Sequence, residues 1–258
     1  MAWLLDLDGV VWLAGVPIAG SVAAVDRLRA AGERVLFVTN NSNPRRADQE
    51  ERLASIGIDA TGDVVSSADA VAMLLEPGDR AHVAGGPGIV EALEHRGVSV
   101  TSDDGGGVDA VVVGFHREFD YERMRVASDL VRRGARLLAT NDDATFPTPD
   151  GEVPGGGAIL AGIAYASGAV PVVAGKPNLP MADAIRARAG AGPHVMVGDR
   201  PETDGAFARR LGATYALVLS GVTTAADLPG EPAPDVVGDD LASVVERFLT
   251  RAVPPTPR

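Results

Sequence analysis

Trp3-Leu4-Leu5-Asp6-Leu7-Asp8-Gly9-Val10-Val11 is an almost wholly apolar run, broken by two aspartates where it meets a glycine. Such a run reads as a strand buried on both faces, as in a parallel sheet. Carboxylates without partners are costly in a core, so Asp6 and Asp8 belong where the strand emerges, at the carboxyl edge of the sheet. Open α/β sheets bind their ligands at that edge. Asp-Leu-Asp-Gly is also an ordinary turn that stops a strand. The rest of the chain has to decide between the two.

Working outward, residues 21–31 form a helix that Ser21 can cap, and a second buried strand, 35–42, again turns polar at its end with Thr39, Asn40 and Asn41. A helix over 45–56, a strand over 64–67 and a helix over 68–75 follow. Three β-α units in succession mean a parallel sheet with right-handed crossovers. The pattern then starts afresh, with strands at 81–85, 98–100, 110–114 and 136–141 and helices at 88–96, 121–133 and 158–167. A polar Pro/Gly-rich loop fills 142–157. From Val172 the first pattern resumes, with strands at 172–177, 194–199, 215–220 and 235–237, helices at 181–189, 203–211 and 240–251, and a frayed tail at 254–258. The expected architecture is α/β: a Rossmann-like parallel core from residues 1–79 and 172–258, with a smaller α/β cap, 80–171, inserted in it.

The chain has 258 residues, 46% hydrophobic and 22% charged, an ordinary globular balance. No apolar run approaches the roughly 20 residues of a membrane span, and the first strand starts at once, without a signal-like segment. Cytoplasm is the expected location. The absence of cysteine excludes disulfides and thiolate metal sites. A net charge of −12 argues against nucleic acid, which wants basic patches. It would also repel a phosphorylated substrate at long range, so any anion site must be locally positive through a metal, a lysine or a helix N-terminus.

Four strand ends carry polar groups: Asp6 and Asp8; Thr39 with Asn40 and Asn41; Lys176; and Asp199 with Asp204 behind it. In a parallel sheet these ends converge on one edge. Two carboxylates about 4 Å apart repel by roughly 4 kcal/mol at an effective dielectric of 20. Several together need a cation, and hard oxygens without His or Cys select Mg²⁺. With a lysine point charge and a threonine hydroxyl beside it, that is a phosphate site. One carboxylate there can attack phosphorus, and a second, two residues on, can act as general acid and then as general base.

Asp6-Leu7-Asp8-Gly9-Val10-Val11, Val38-Thr39-Asn40-Asn41-Ser42, Gly175-Lys176-Pro177 and Val197-Gly198-Asp199-Arg200-Pro201-Glu202-Thr203-Asp204 resemble the four ordered motifs of the haloacid-dehalogenase-like phosphatases. The Thr-Asn-Asn form of the second motif and the large insertion before the third are similar to the p-nitrophenyl-phosphatase-like (NagD-like) branch, as is the stretch from Asn141 to Gly157. The likeness covers nearly the whole chain. It implies that Asp6 is the nucleophile and a Mg²⁺ ligand, and Asp8 the general acid/base with its backbone carbonyl on the metal. Thr39 and Lys176 would hold phosphate with Asn40 beside them. Asp199 would be the carboxylate ligand and Asp204 a support behind it. The same likeness implies that the loop before the cap's last helix, which here offers Asp143, Phe146 and Pro147, reaches over the substrate; Phe146, apolar where some relatives carry a polar side chain, is expected to wall the leaving-group pocket, the alternative being that it packs the loop. Relatives of this branch include homodimers that associate through the cap.

The expected activity is Mg²⁺-dependent hydrolysis of a small phosphate monoester through an aspartyl phosphate, with the cap closing over the leaving group. Sugar phosphates, glycerol phosphate, nucleoside monophosphates and pyridoxal phosphate are candidate substrates. The alternatives are a phosphoaspartate switch or binding module, which would keep its phosphate rather than turn over, or another activity of the family such as a phosphomutase. Gly85-Gly86-Pro87-Gly88 lacks the G-x-G-x-x-G spacing of a dinucleotide site and reads as a tight β-α turn. His82, His95, His116 and His194 have no ligand spacing. Gly105 to Gly107 reads as a flexible loop, and Trp3 and Trp12 as packing residues, although Trp12 lies close to Asp8 in the chain.

Overall fold

The computed structural model describes residues 1–13, 15–102, 107–148 and 151–251, with no side chain described at 147 or 251. Gly105, Gly106 and the tail 254–258 lie outside them. The strands are β1 (Ala2–Leu5), β2 (Trp12–Leu13), β3 (Val16–Pro17), β4 (Arg34–Thr39), β5 (Val64–Ser66), β6 (Arg80–Ala84), β7 (Ser99–Thr101), β8 (Ala110–Val113), β9 (Arg136–Ala139), β10 (Thr145–Thr148), β11 (Gly151–Pro154), β12 (Val172–Val173), β13 (His194–Gly198), β14 (Thr214–Val218) and β15 (Val236–Gly238). The helices are α1 (Ser21–Ala30), α2 (Arg46–Ser55), α3 (Ser67–Ala72), α4 (Pro87–His95), α5 (Tyr121–Arg132), α6 (Gly156–Ser167), α7 (Leu179–Ala189), α8 (Ala206–Leu211) and α9 (Leu241–Arg251).

A six-stranded sheet runs in the order β15-β14-β13-β1-β4-β5, so β1 lies in its middle. β1 pairs in parallel with both β13 and β4, Leu5 standing opposite Val197 and Phe37. All four residues of β1 are buried, as a central strand of a two-faced sheet requires. A five-stranded sheet runs in the order β12-β9-β8-β6-β7, and β8 is likewise buried throughout.

The chain divides into two compact units. The first comprises Met1–Val38, Glu50–Val64 and the described residues from Ala189 onward. Its core joins Trp3, Leu5, Phe37, Val197 and Val218 to Leu28, Leu53 and Val244 from the helices. Trp3 meets Phe248 edge-on, ring centroids 5.0 Å apart. The second comprises Thr39–Gln49 and Val65–Arg188. Its core packs Val111, Val113, Leu137 and Ala139 against Leu130 of α5 and Leu160 and Ile163 of α6. Each aliphatic side chain buried completely in either core contributes about 1.5–3 kcal/mol.

Several local expectations change. Ser21 does not cap α1; Gly20 holds that position, and the buried Ser21 hydroxyl donates to the Val11 carbonyl at 2.9 Å. Residues 142–157 contain the antiparallel hairpin β10–β11, in which Thr145 pairs with Pro154. Val172 and Val173 do not resume the first sheet but pair with Leu138 and Ala139 at the edge of the second. The segment after β13 winds first as a π-helical turn, Pro201–Gly205, before α8. The glycines at 85–88 do form a tight β-α turn, with Gly86 as N-cap and Pro87 opening α4.

Candidate active site

The carboxyl ends of β1 and β13 supply three acids. Asp6, Asp199 and Asp204 each offer a carboxylate oxygen, and these oxygens all lie within 4.8 Å of one another. Asp6 continues the β1 ladder, its N–H donating to the Val197 carbonyl at 3.0 Å. Asp199, 2% exposed, follows directly on β13. Its Oδ2 accepts the Val222 N–H at 2.7 Å. A Cβ at Gly9 or at Gly221 would run into this carboxylate, and Gly9 stands at φ +84°. Both glycines are therefore dictated by Asp199.

Asp204 lies inside the π-helical turn, 1% exposed. Its Oδ2 accepts the N–H groups of Asp199 and Arg200, each at 3.2 Å. One oxygen of Asp204 thus holds the backbone that carries Asp199. Tyr215 packs beneath, against Gly205, with its hydroxyl buried and without a partner among the described residues. Burial first, then the charges of Asp204 and Asp199, push this phenol far above its ordinary range, so it stays neutral.

Asp8 is not among the three. It lies two residues on, where its Oδ1 accepts the indole N–H of Trp12 at 3.1 Å.

In the second unit, Thr39 is the last residue of β4, and its Oγ1 accepts the Asn41 N–H at 3.0 Å. Asn40 binds the backbone of Lys176 at two points. Its Oδ1 takes the Lys176 N–H at 2.8 Å and its Nδ2 donates to the Lys176 carbonyl at 3.0 Å. The same Nδ2 reaches Asp143 Oδ2 at 3.3 Å. The Asn40 carbonyl accepts from Ser67 Oγ at 2.6 Å and from Asn141 Nδ2 at 2.8 Å. Lys176 itself is 2% exposed, and an ammonium that deep must answer to negative charge. Phe146 stacks on Phe115, centroids 5.0 Å apart and planes 23° from parallel. Pro147 stands opposite Glu152 in the hairpin.

Three participants, Ser67, Val222 and Phe115, had no signal of their own in the sequence, and Asn141 stood out only as the start of the stretch 141–157. Ser67 and Asn141 act on a backbone carbonyl, Val222 acts through its own N–H, and Phe115 is an ordinary apolar residue at a strand end. The Asn40 side chain, expected beside Thr39 and Lys176 at the phosphate, bonds both backbone groups of Lys176 and Asp143 Oδ2.

Residues 3–99 match the family described as haloacid dehalogenase-like hydrolase, and residues 173–244 a family described as HAD-hydrolase-like. The chain is 34% identical to D-glycerol 3-phosphate phosphatase of Mycobacterium tuberculosis, over 98% of this chain and 73% of that protein. It is also 34% identical to acid sugar phosphatase of Staphylococcus aureus, over 90% of this chain and 92% of that protein. Among solved structures it resembles a glycerol phosphate phosphatase of Mycobacterium tuberculosis in complex with magnesium, with a TM-score of 0.90 and 34% identity over 99% of this chain and 79% of that one. The protein belongs to the haloacid dehalogenase-like hydrolases.

Proposed function

We propose that the protein is a Mg²⁺-dependent phosphomonoesterase that works through an aspartyl phosphate on Asp6. The observation that carries this reading is the meeting of Asp6, Asp199 and Asp204 within 4.8 Å. Three hard carboxylate oxygens without a thiolate or imidazole suit Mg²⁺. Asp6, Asp199 and the Asp8 backbone carbonyl would hold the ion, with Asp204 bracing the Asp199 backbone. When bound, Mg²⁺ supplies positive charge that neutralises phosphoryl oxygens.

The chain's own residues then have separate tasks. An Asp6 oxygen attacks phosphorus as the bond to the leaving alcohol breaks, and Asp8 gives its proton to that alcohol oxygen. A water, losing its proton to Asp8, next attacks the phosphorus and frees Asp6. Thr39 supplies a hydroxyl and Lys176 a charge to the phosphoryl oxygens. Asn40, by gripping both backbone groups of Lys176, fixes where that charge is presented. Preorganised charge is the largest lever available for this very slow reaction.

The named relatives favour glycerol phosphate and sugar phosphates over nucleoside monophosphates and pyridoxal phosphate as substrates. Asp143 and Phe146 are the residues proposed to select the leaving group. Relative rates across a panel of esters should change in Phe146→Ala; an unchanged profile assigns Phe146 to packing on Phe115 alone. Among the described residues no helix is long and apolar enough to cross a membrane.

The test is phosphate release from small esters with Mg²⁺ and with EDTA, for wild type and Asp6→Asn. Metal-dependent release that vanishes in the variant is the expected result. Cleavage that stops at about one ester per protein, with its phosphate lasting on Asp6, would replace hydrolysis with a phosphoaspartate switch.

A further inference from the structure

The loop after β1 folds back on itself. The Leu7 carbonyl receives the N–H groups of Val11 at 2.9 Å and Trp12 at 3.1 Å, and the Gly9 N–H donates to the Trp12 carbonyl at 2.7 Å. This turn brings Trp12 beside Asp8, and the indole Nε1–H donates to Asp8 Oδ1 at 3.1 Å. Trp12 is 3% exposed, packed in the core with Leu7, Val10 and Leu53. On its face lies the Arg52 guanidinium, 4.6 Å from the ring centroid, in the space a side chain at Gly15 would need. A cation over the ring draws electron density from the indole and makes its N–H a stronger donor.

Trp3 provides an internal comparison. It is equally buried, yet its Nε1 has no partner among the described residues. Packing alone therefore does not aim an indole N–H at an acceptor in this core. At Trp12 the N–H is aimed, and its acceptor is the carboxylate two residues beyond Asp6.

We infer that Trp12 is a positioning residue for Asp8, and that Arg52 holds Trp12 in that role. With a donor on Oδ1, that oxygen is kept as the acceptor, and Oδ2 carries the proton that goes to the leaving oxygen. The inference rests on Asp8 being the general acid/base. In the first half-reaction the Asp8 O–H bond breaks, its proton goes to the ester oxygen, the P–O bond to the alcohol breaks and the bond from Asp6 to phosphorus forms. In the second, a water gives a proton to Asp8 while its oxygen binds phosphorus and the Asp6–phosphorus bond breaks. Only the first transfer depends on the leaving group.

The test is kcat/KM, which covers steps up to release of the alcohol, for an alkyl ester (glycerol phosphate) and an aryl ester (p-nitrophenyl phosphate). The phenol leaves as a stable anion and needs no proton; the alkyl alcohol needs one. General acids contribute about 10²- to 10⁴-fold, and losing their alignment forfeits part of that. Trp12→Phe should therefore lose about tenfold on the alkyl ester and less than about twofold on the aryl ester. Arg52→Met should lose less, with the same selectivity, and Asp8→Asn should lose more. If Asp8→Asn falls equally on both esters, Asp8 is not the acid and the inference goes with it. If Asp8→Asn discriminates but a folded Trp12→Phe does not, the inference alone is overturned. Should Trp12→Phe fail to fold, Arg52→Met decides: equal rates on both esters relative to wild type would overturn the role of this pair.

Discussion

Asp199→Asn tests the metal site through stability rather than activity. The three carboxylate oxygens lie within 4.8 Å of one another, so each pair repels by at least about 3.5 kcal/mol at an effective dielectric of 20. The substitution removes Asp199 from two of these three pairs, about 7 kcal/mol of bare repulsion. Backbone donors already offset part of it: Asp204 takes two N–H groups and Asp199 one. Asparagine can still accept from Val222 N–H, at a loss of about 1–2 kcal/mol for a neutral acceptor. Asp6 is only partly buried, which weakens its pairs further. In EDTA the variant should thus melt at or above wild type. With Mg²⁺ at a hundred times its Kd, wild type should gain about 2.7 kcal/mol. For a chain near this length that is a rise of about 5–10 °C in Tm, and the variant should lose most of it. Thermal unfolding with and without Mg²⁺ reads both halves. A wild type indifferent to Mg²⁺, with a variant that melts lower in EDTA, would mean that the three carboxylates brace the fold and do not hold a metal.

Asn40→Ala should strip Lys176 of two backbone partners, destabilise by about 1–3 kcal/mol and weaken competitive inhibition by inorganic phosphate; unchanged inhibition would show that Lys176 needs no such grip. His82 is held neutral chiefly by burial, with the Thr101 backbone opposing and the Arg123 charge reinforcing that direction. Its folded pKa lies below the unfolded value of about 6.5, so its contribution is complete above that value and is lost as pH falls from there through the folded pKa. Urea unfolding at pH 7.5 and 5.5 should show wild type losing stability, and His82→Gln losing less; equal losses would remove His82 from the account.

The architecture was legible where continuous apolar runs force a strand to be buried on both faces, as in β1, β4, β8 and β13. It was not legible where composition is silent on pairing. Val172-Val173 reads as a buried strand in either sheet, and only hydrogen bonds to Leu138 and Ala139 assign it to the second. The hairpin β10–β11 hid within prolines and glycines, residues that break strands more often than they build them. Ser21 has the chemistry of a cap, but its hydroxyl is drawn to the nearby Val11 carbonyl instead.

The site divides in the same way, for a reason rooted in charge. Asp6, Asp8, Lys176, Asp199 and Asp204 declare themselves because an ionised group near a core must have a purpose or a partner. Their supports declare nothing, because much of the support is backbone. Any residue but proline offers an N–H, so nothing in Val222 marks it as the donor that holds Asp199; only the place where the chain passes decides it. Asn40 works in reverse, its side chain reading the peptide groups of Lys176 across 136 positions of sequence. A motif search thus finds the groups proposed to react, while the groups proposed to aim them follow from the path of the chain. Trp12 belongs to this second class. Its apolar bulk accounts for its burial, and only the direction of one N–H, set by the turn at Leu7, ties it to Asp8.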